Sequence, residues 1–151
     1  MNVTEAKAEQ GRMLEPKRRK FRKEFRGRRR GKAIRGSMLS YGEYGLKAQE
    51  AGWLSARQIE AGRRTITHSL KKGGRVWIRV FPDKPVTSRA AGQRMGGGKG
   101  DIDRYVAVVT PGRIIYEVTG VNPVVAKDAF AKAATKMPFR TRFINKEERK
   151  K

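Results

Sequence analysis

The clearest helix in this chain is the segment 55–72, which reads SARQIEAGRRTITHSLKK. Ser55, followed three residues later by Gln58, is the signature of a capping box, in which the hydroxyl and the amide satisfy free backbone N–H groups. Four residues at helical spacing predict the face that packs against a core: Ile59, Gly62, Ile66 and Leu70. Gly73 and Gly74 follow, and we expect them to end the helix in the left-handed conformation.

Strand-like segments lie on both sides of this helix. Residues 76–81 (VWIRVF) are β-branched and aromatic and predict a strand, which Pro82 stops. Segments 105–110 and 114–119, joined by a Pro-Gly pair, predict a β-hairpin. One more pair of strands is expected within 36–48.

A second helix and a last strand complete the pattern. Asn122 and Pro123 mark the helix start, with the asparagine as cap and the proline at the first helical position. Its apolar face repeats at spacings of three and four: Ala126, Ala129, Phe130, Ala133 and Met137. Residues 139–144 alternate as a strand would. The elements neither repeat as βαβ units nor are all β, so the sequence predicts a single α+β domain over 36–151, a mostly antiparallel sheet with two helices packed on it.

A strongly basic arm precedes that domain. Residues 17–35 (KRRKFRKEFRGRRRGKAIR) hold twelve basic side chains and one acid, and we assign 1–35 to an amino-terminal extension and arm. Burying unpaired like charges is too costly, so the arm must face water or a polyanion, and guanidinium groups fit phosphates bidentately. The candidate nucleic-acid contacts of the arm are Lys17, Arg18, Arg19, Lys20, Arg22, Lys23, Arg26, Arg28, Arg29, Arg30 and Lys32.

The rest of the chain is basic too. Residues 36–151 hold 23 basic and 10 acidic side chains, which indicates that the whole molecule lies on a polyanionic surface. Arg57, Arg64 and Lys71, seven apart, share one face of the first predicted helix. That face is either a solvated surface or a second phosphate contact surface, and the neighbouring arm favours the second interpretation.

A stretch without periodicity, 83–104, reads DKPVTSRAAGQRMGGGKGDIDR. Compact domains rarely keep so long a loop without a use for it. Its glycines let the backbone approach a ligand closely, and its cations attract phosphate. The segment is either a solvated loop or a loop that becomes ordered against RNA phosphates, and the second interpretation is favoured by the basic surroundings.

Enzymatic chemistry finds no support in the sequence. The Gly98-Lys99 pair fails the phosphate-binding loop pattern, because Gln93 precedes it at the required spacing and Gly100 follows it. Asp101 and Asp103 lack a third metal ligand, and the single histidine has no nucleophile signature nearby. We therefore predict no catalytic residue, metal, cofactor or small-molecule substrate.

Composition excludes other classes. No cysteine is present, so no disulfide or thiolate site can form, and no run of about 18 apolar residues could span a bilayer. The first dozen residues contain no apolar signal core. We expect a soluble intracellular protein.

Five blocks of the sequence resemble bacterial-type large-subunit ribosomal protein sixteen, in the order and at the spacing of that family. They are 14–23 (LEPKRRKFRK), 55–64 (SARQIEAGRR), 74–85 (GRVWIRVFPDKP), 94–100 (RMGGGKG) and 111–121 (PGRIIYEVTGV). The resemblance covers roughly 13–145 and implies an α+β domain of the α/β-hammerhead kind. Three departures stand out. Family members commonly start near the equivalent of Met13, so residues 1–12 are an extension or reflect an upstream start; Gly97 lies where a lysine is common; and Arg104-Tyr105 replaces what is frequently a pair of aromatics.

The resemblance also implies partners and sites. They are large-subunit rRNA, A-site and P-site tRNA and neighbouring ribosomal proteins, without catalysis, on a cytoplasmic ribosome. The arm over 17–32 would thread into rRNA. The glycine-rich loop over 88–100 would point toward tRNA near the peptidyl-transferase centre, through Arg89, Arg94, Met95, Gly96, Gly98, Lys99 and Gly100.

Two alternatives use the same charge. An architectural DNA-binding protein of the nucleoid type would also be this basic, although the glycine-rich loop has no evident role there. A peripheral membrane protein could be attracted to anionic lipid, but the arm lacks the apolar face that an interfacial helix requires. We therefore predict no membrane partner.

Overall fold

A computed structural model of the chain describes residues 14–71 and 73–146. The described residues contain seven strands and two helices. In chain order they are β1 (Tyr44–Ala48), β2 (Gly52–Ser55), α1 (Ala56–Leu70), β3 (Arg75–Ile78), β4 (Lys84–Ser88), β5 (Asp101–Val109), β6 (Ile114–Thr119), α2 (Pro123–Ala134) and β7 (Thr141–Asn145).

These strands form two antiparallel sheets. One has the order β3-β6-β1-β7 and the other β2-β5-β4. The α+β fold with two helices on antiparallel strands is therefore confirmed, but with two sheets where the sequence pattern predicted one. None of the helices in the described part of the chain is long and apolar enough to cross a bilayer.

The predicted hairpin is wrong, because β5 and β6 belong to different sheets. The backbone of Ala48, at the end of β1, forms hydrogen bonds with the segment that connects β5 to β6. Its carbonyl accepts from the Gly112 N–H (2.8 Å), and its N–H donates to the Arg113 carbonyl (2.8 Å). The chain therefore turns toward β1 instead of folding back on β5, and β6 becomes a central strand between β3 and β1.

Two predicted boundaries also change. Residues 36–48 contain one strand, β1, instead of a pair, and its partners are β6 and β7. The predicted loop 83–104 holds β4 and the start of β5, so within it only Asp83 and residues 89–100 lack regular structure. The predicted extent of the loop was wrong because β4 includes a proline, which hides its strand character.

The α1 helix begins as predicted and ends differently. Ser55 accepts from the Gln58 N–H while the Gln58 side chain accepts from the Ser55 N–H, which confirms the capping box. The helix ends at Leu70, and Lys71 rather than a glycine takes a positive φ, of 56°. Three residues later, position 74 requires a glycine: its φ is 77°, and a Cβ there would lie 2.8 Å from the Thr119 carbonyl oxygen.

Both predicted apolar faces meet in one core, although α2 ends at Ala134, so Met137 packs against this core from beyond the helix. The buried residues of the helices are Ala56, Ile59, Gly62, Ile66 and Leu70 from α1 and Ala126, Ala129, Phe130 and Ala133 from α2. Tyr116 of β6 lies between them, and its hydroxyl donates to the Ile59 carbonyl at 2.7 Å. Burial raises the pKa of that hydroxyl far above its usual value.

One carboxylate lies inside this fold. Glu117 of β6 is 0% exposed and accepts from the backbone N–H groups of Ser40 (3.1 Å), Tyr41 (2.7 Å) and Gly42 (2.7 Å). Its other oxygen pairs with the Arg79 guanidinium. This carboxylate fixes the segment that joins the basic arm to β1.

Candidate nucleic-acid interface

The arm runs over the surface of the domain without helix or strand and is attached at several points. The Ala33 N–H donates to the Pro111 carbonyl at 2.8 Å. Farther from the domain's first strand, the Lys84 ammonium donates to the Phe25 carbonyl at 3.0 Å, and Arg19 donates to the carbonyl of Asp83. These bonds involve backbone carbonyls, so they hold the arm without neutralising its charge.

Trp53 of β2 is a further attachment point. The guanidinium carbons of Arg26 and Arg29 lie 5.6 Å and 4.9 Å from the centre of its ring, within the range of cation–π attraction. In the sequence, Trp53 lies just before the segment that forms α1. Nothing in its neighbourhood along the chain signals that two arginines more than twenty residues earlier would stack on it.

The arm meets the glycine-rich loop at a second cluster. The Lys23 ammonium donates to the Lys99 carbonyl at 2.9 Å, and the Lys99 ammonium donates to the Glu24 carbonyl and lies 6.0 Å from the Phe25 ring centre. Asp101 faces Lys23 at 3.7 Å. Lys99 therefore belongs to the attachment of the arm as much as to the loop.

The loop beyond this cluster is open to solvent. Arg89 donates to the Gly98 carbonyl at 3.1 Å and so closes the base of the loop. At the tip, Met95 is 96% exposed, and neither Arg94 nor Met95 forms a hydrogen bond or ion pair with the described residues. Gly96 and Gly98 take positive φ values of 109° and 82°, which other residues rarely adopt.

Six of the eleven candidate cations of the arm point outward without an acidic partner. They are exposed, and within 14–71 and 73–146 they form no ion pair: Lys17, Arg18, Lys20, Arg28, Arg30 and Lys32. The other five candidates are engaged: Arg19 pairs with Glu24, Arg22 and Lys23 face Asp101 at 3.9 Å and 3.7 Å, and Arg26 and Arg29 lie over Trp53. The structure therefore divides the predicted arm residues into a set that holds the arm and a set that faces outward.

The predicted face on α1 is exposed but unevenly charged. Arg64 pairs with Glu60 at 3.0 Å, and Glu60 also binds Arg63. The Arg63 guanidinium, more than that of Arg64, lowers the pKa of the Glu60 carboxyl. Arg57 has no such partner among the described residues and borders a recess together with Glu15, just before the arm, whereas Lys71 lies at the opposite end of α1, about 20 Å away. The structure therefore brings Arg57, but not Lys71, to the arm.

The acids once considered as metal ligands have another role. The described residues contain no group of three or more side chains that could hold a metal ion. Asp101 faces the arm, and Asp103 pairs with Arg104 at 3.4 Å.

Comparisons with known proteins agree on one family. A model of the family described as ribosomal protein L16p/L10e matches residues 16–144. The chain is also 53% identical over 135 residues to proteins named large ribosomal subunit protein uL16 from Francisella tularensis, among them subsp. holarctica strain OSU18 and subsp. novicida strain U112. Each alignment covers 89% of this chain and 98% of the relative.

Proposed function

This chain belongs to the ribosomal protein L16p/L10e family, and on that premise we propose that it is a structural constituent of the large ribosomal subunit that binds rRNA. Its place is then the ribosome in the cytoplasm, with neighbouring ribosomal proteins as further partners. The nucleoid-type alternative has no support from the relatives, all of which are named as ribosomal proteins. The observation that carries the proposal is the row of six outward cations on an attached arm.

The mechanism follows from the two sets of arm residues. Bonds to backbone carbonyls and stacking on Trp53 fix the course of the arm without using up its outward charges. Those charges bind phosphates and release the counterions condensed on RNA, which supplies most of the affinity. RNA segments that repel one another can then lie close together around the arm. In this proposal the chain has two parts, the extension and arm over 1–35 and the folded domain over 36–151.

The same reasoning extends to tRNA. The tip of the loop carries Arg94 and the fully exposed Met95, and it presents backbone that glycines leave open to close approach. A surface of this kind suits contact with the phosphates of A-site or P-site tRNA. The protein would act by positioning RNA and not by catalysis, since no cluster of nucleophile and base occurs among the candidate residues.

A crosslinking experiment tests the proposal. A photoreactive residue replaces Arg30 in the arm or, as a matched control, Lys136, which is exposed just beyond α2. After assembly and irradiation, the arm position should give rRNA adducts in large subunits, and the control position fewer. Adducts to protein alone from the arm position, or failure of the chain to enter large subunits, would count against the proposal.

A further inference from the structure

A recess lies beside the start of α1, and neither the outward cations of the arm nor the residues at the tip of the loop line it. It has a volume of about 480 Å³ and is bounded by the start of the arm, the start of α1 and the strand β5. The side chains that matter for its chemistry are Glu15, Trp53, Arg57, Gln58, Asp103 and Arg104. Recesses of 300–1,000 Å³ are typical of sites for small ligands, so this one can hold a single nucleotide.

A β-bulge explains how neighbouring residues of one strand line the same recess. In the pairing of β4 with β5, Val86 lies opposite Arg104, and Thr87 lies opposite Ile102, so Asp103 is an extra residue. A bulge redirects a side chain that regular alternation would point to the opposite face. Asp103 and Arg104 therefore both border the recess.

The charged side chains that border the recess have no partners elsewhere in the described structure. The side chains of Glu15 and Arg57 form no hydrogen bond or ion pair with other described residues, and both residues are exposed. Asp103 and Arg104 pair only with each other, at 3.4 Å, and both stay about half exposed. The first N–H groups of α1 are not counted as ligand donors, because the capping box of Ser55 and Gln58 already occupies that end of the helix.

This set of groups fits one kind of ligand. A guanidinium binds phosphate, and a carboxylate only accepts hydrogen bonds. Among the RNA bases, guanine alone presents two adjacent donors, N1–H and N2–H₂, on its Watson–Crick edge, where unpaired RNA bases are recognised. Its O6 acceptor, next to N1–H, suits a second guanidinium.

We propose that this recess binds one unpaired guanine nucleotide of RNA. Glu15 and Asp103 accept from the guanine edge, Arg57 binds the phosphate, and Arg104 donates to O6. The inference rests on the proposed rRNA binding and adds base recognition to it. Because Glu15 lies just before the arm, the recess is complete only when that segment lies on the domain.

Nucleotide titrations of the full-length protein test this site. The probes are 5′-GMP, 5′-IMP, which lacks only the N2 amino group, 5′-AMP and inorganic phosphate, added in enough salt to screen exposed charges. The chain has two tryptophans, so the indole N–H signal of Trp53 reports on the recess and that of Trp77, on β3, serves as an internal control. The variant Trp77→Phe assigns the two signals.

We expect GMP to shift the Trp53 signal, to leave Trp77 unchanged, and to bind about tenfold tighter than IMP, the usual effect of one hydrogen bond to a charged group. Glu15→Gln and Asp103→Asn should reduce that GMP-to-IMP ratio. Arg57→Gln should weaken the binding of GMP and IMP by the same factor. The control Arg142→Gln, an exposed arginine on β7 that does not line the recess, should change neither.

Equal affinity for GMP, IMP and inorganic phosphate would overturn the inference, since it would indicate attraction of any anion by a basic surface. A shift of both indole signals, or no shift at all, would overturn it too. Filter binding of rRNA by the Glu15→Gln and Asp103→Asn variants separates this inference from the proposed function. If these variants bind rRNA fully and keep the GMP-to-IMP affinity ratio of the parent protein, the guanine site is refuted while the proposed rRNA binding stands.

Discussion

The replacement Glu117→Gln tests the packing on which the arm depends. One carboxylate oxygen accepts from three backbone N–H groups at 2.7 to 3.1 Å, and the other accepts from Arg79. An amide carries one acceptor and one donor, so in either orientation its NH₂ group faces donors. The Arg79 side chain, only 18% exposed, also loses its counter-charge. Breaking a buried ion pair in this way costs about 3–5 kcal/mol.

That cost is large beside the total stability of a small domain, about 5–15 kcal/mol. Urea unfolding gives the free energy of unfolding from its midpoint and slope. The control is Glu60→Gln, which removes a partly exposed carboxylate that also pairs with arginine and should cost no more than about 1 kcal/mol. If the two variants lose the same free energy of unfolding, the claim that Glu117 fixes the root of the arm is refuted.

Two further predictions concern the loop. Arg94→Ala should leave incorporation into large subunits intact and slow tRNA accommodation roughly two- to fivefold, the effect of one exposed charge contact; unchanged accommodation would contradict the tRNA contact. Lys99→Met should loosen the arm, because the bond to the Glu24 carbonyl and the attraction to the Phe25 ring together contribute about 1–2 kcal/mol. Since the chain has no cysteine, spin labels on cysteines introduced at Lys20 and Lys136 report the distance between arm and domain. That distance distribution should broaden in Lys99→Met and stay unchanged in Arg94→Ala, and equal distributions in both would argue against the arm–loop contact.

The sequence predicted the elements whose signals are local. The capping box at Ser55 and the apolar faces of both helices depend on residues three or four apart, and the helix start at Asn122-Pro123 depends on adjacent residues. The structure has these features, except that α2 ends before Met137. The charge of the arm was equally plain, because no core can hold twelve cations over nineteen residues.

What the sequence could not predict depends on distant partners. The Pro-Gly connection before β6 is typical of a hairpin, but Ala48, more than sixty residues earlier, captures its backbone. Glu117 occurs in a segment that predicts a strand, and only the placement of β6 between β3 and β1 makes that side chain buried. Trp53 and Lys99 likewise gain their roles from an arm that is distant in sequence.

The salt dependence of rRNA binding shows whether the outward cations of the arm bind phosphates. In filter binding with purified large-subunit rRNA, the logarithm of affinity should fall with the logarithm of salt concentration by about 0.7–0.9 per phosphate contact. Replacing the outward cations Arg28, Arg30 and Lys32 by glutamine should reduce that slope by about two. The control replaces three exposed lysines elsewhere, Lys127, Lys136 and Lys146, and should reduce it less. An unchanged slope in the arm variant, or a slope near zero in the parent protein, would contradict the account.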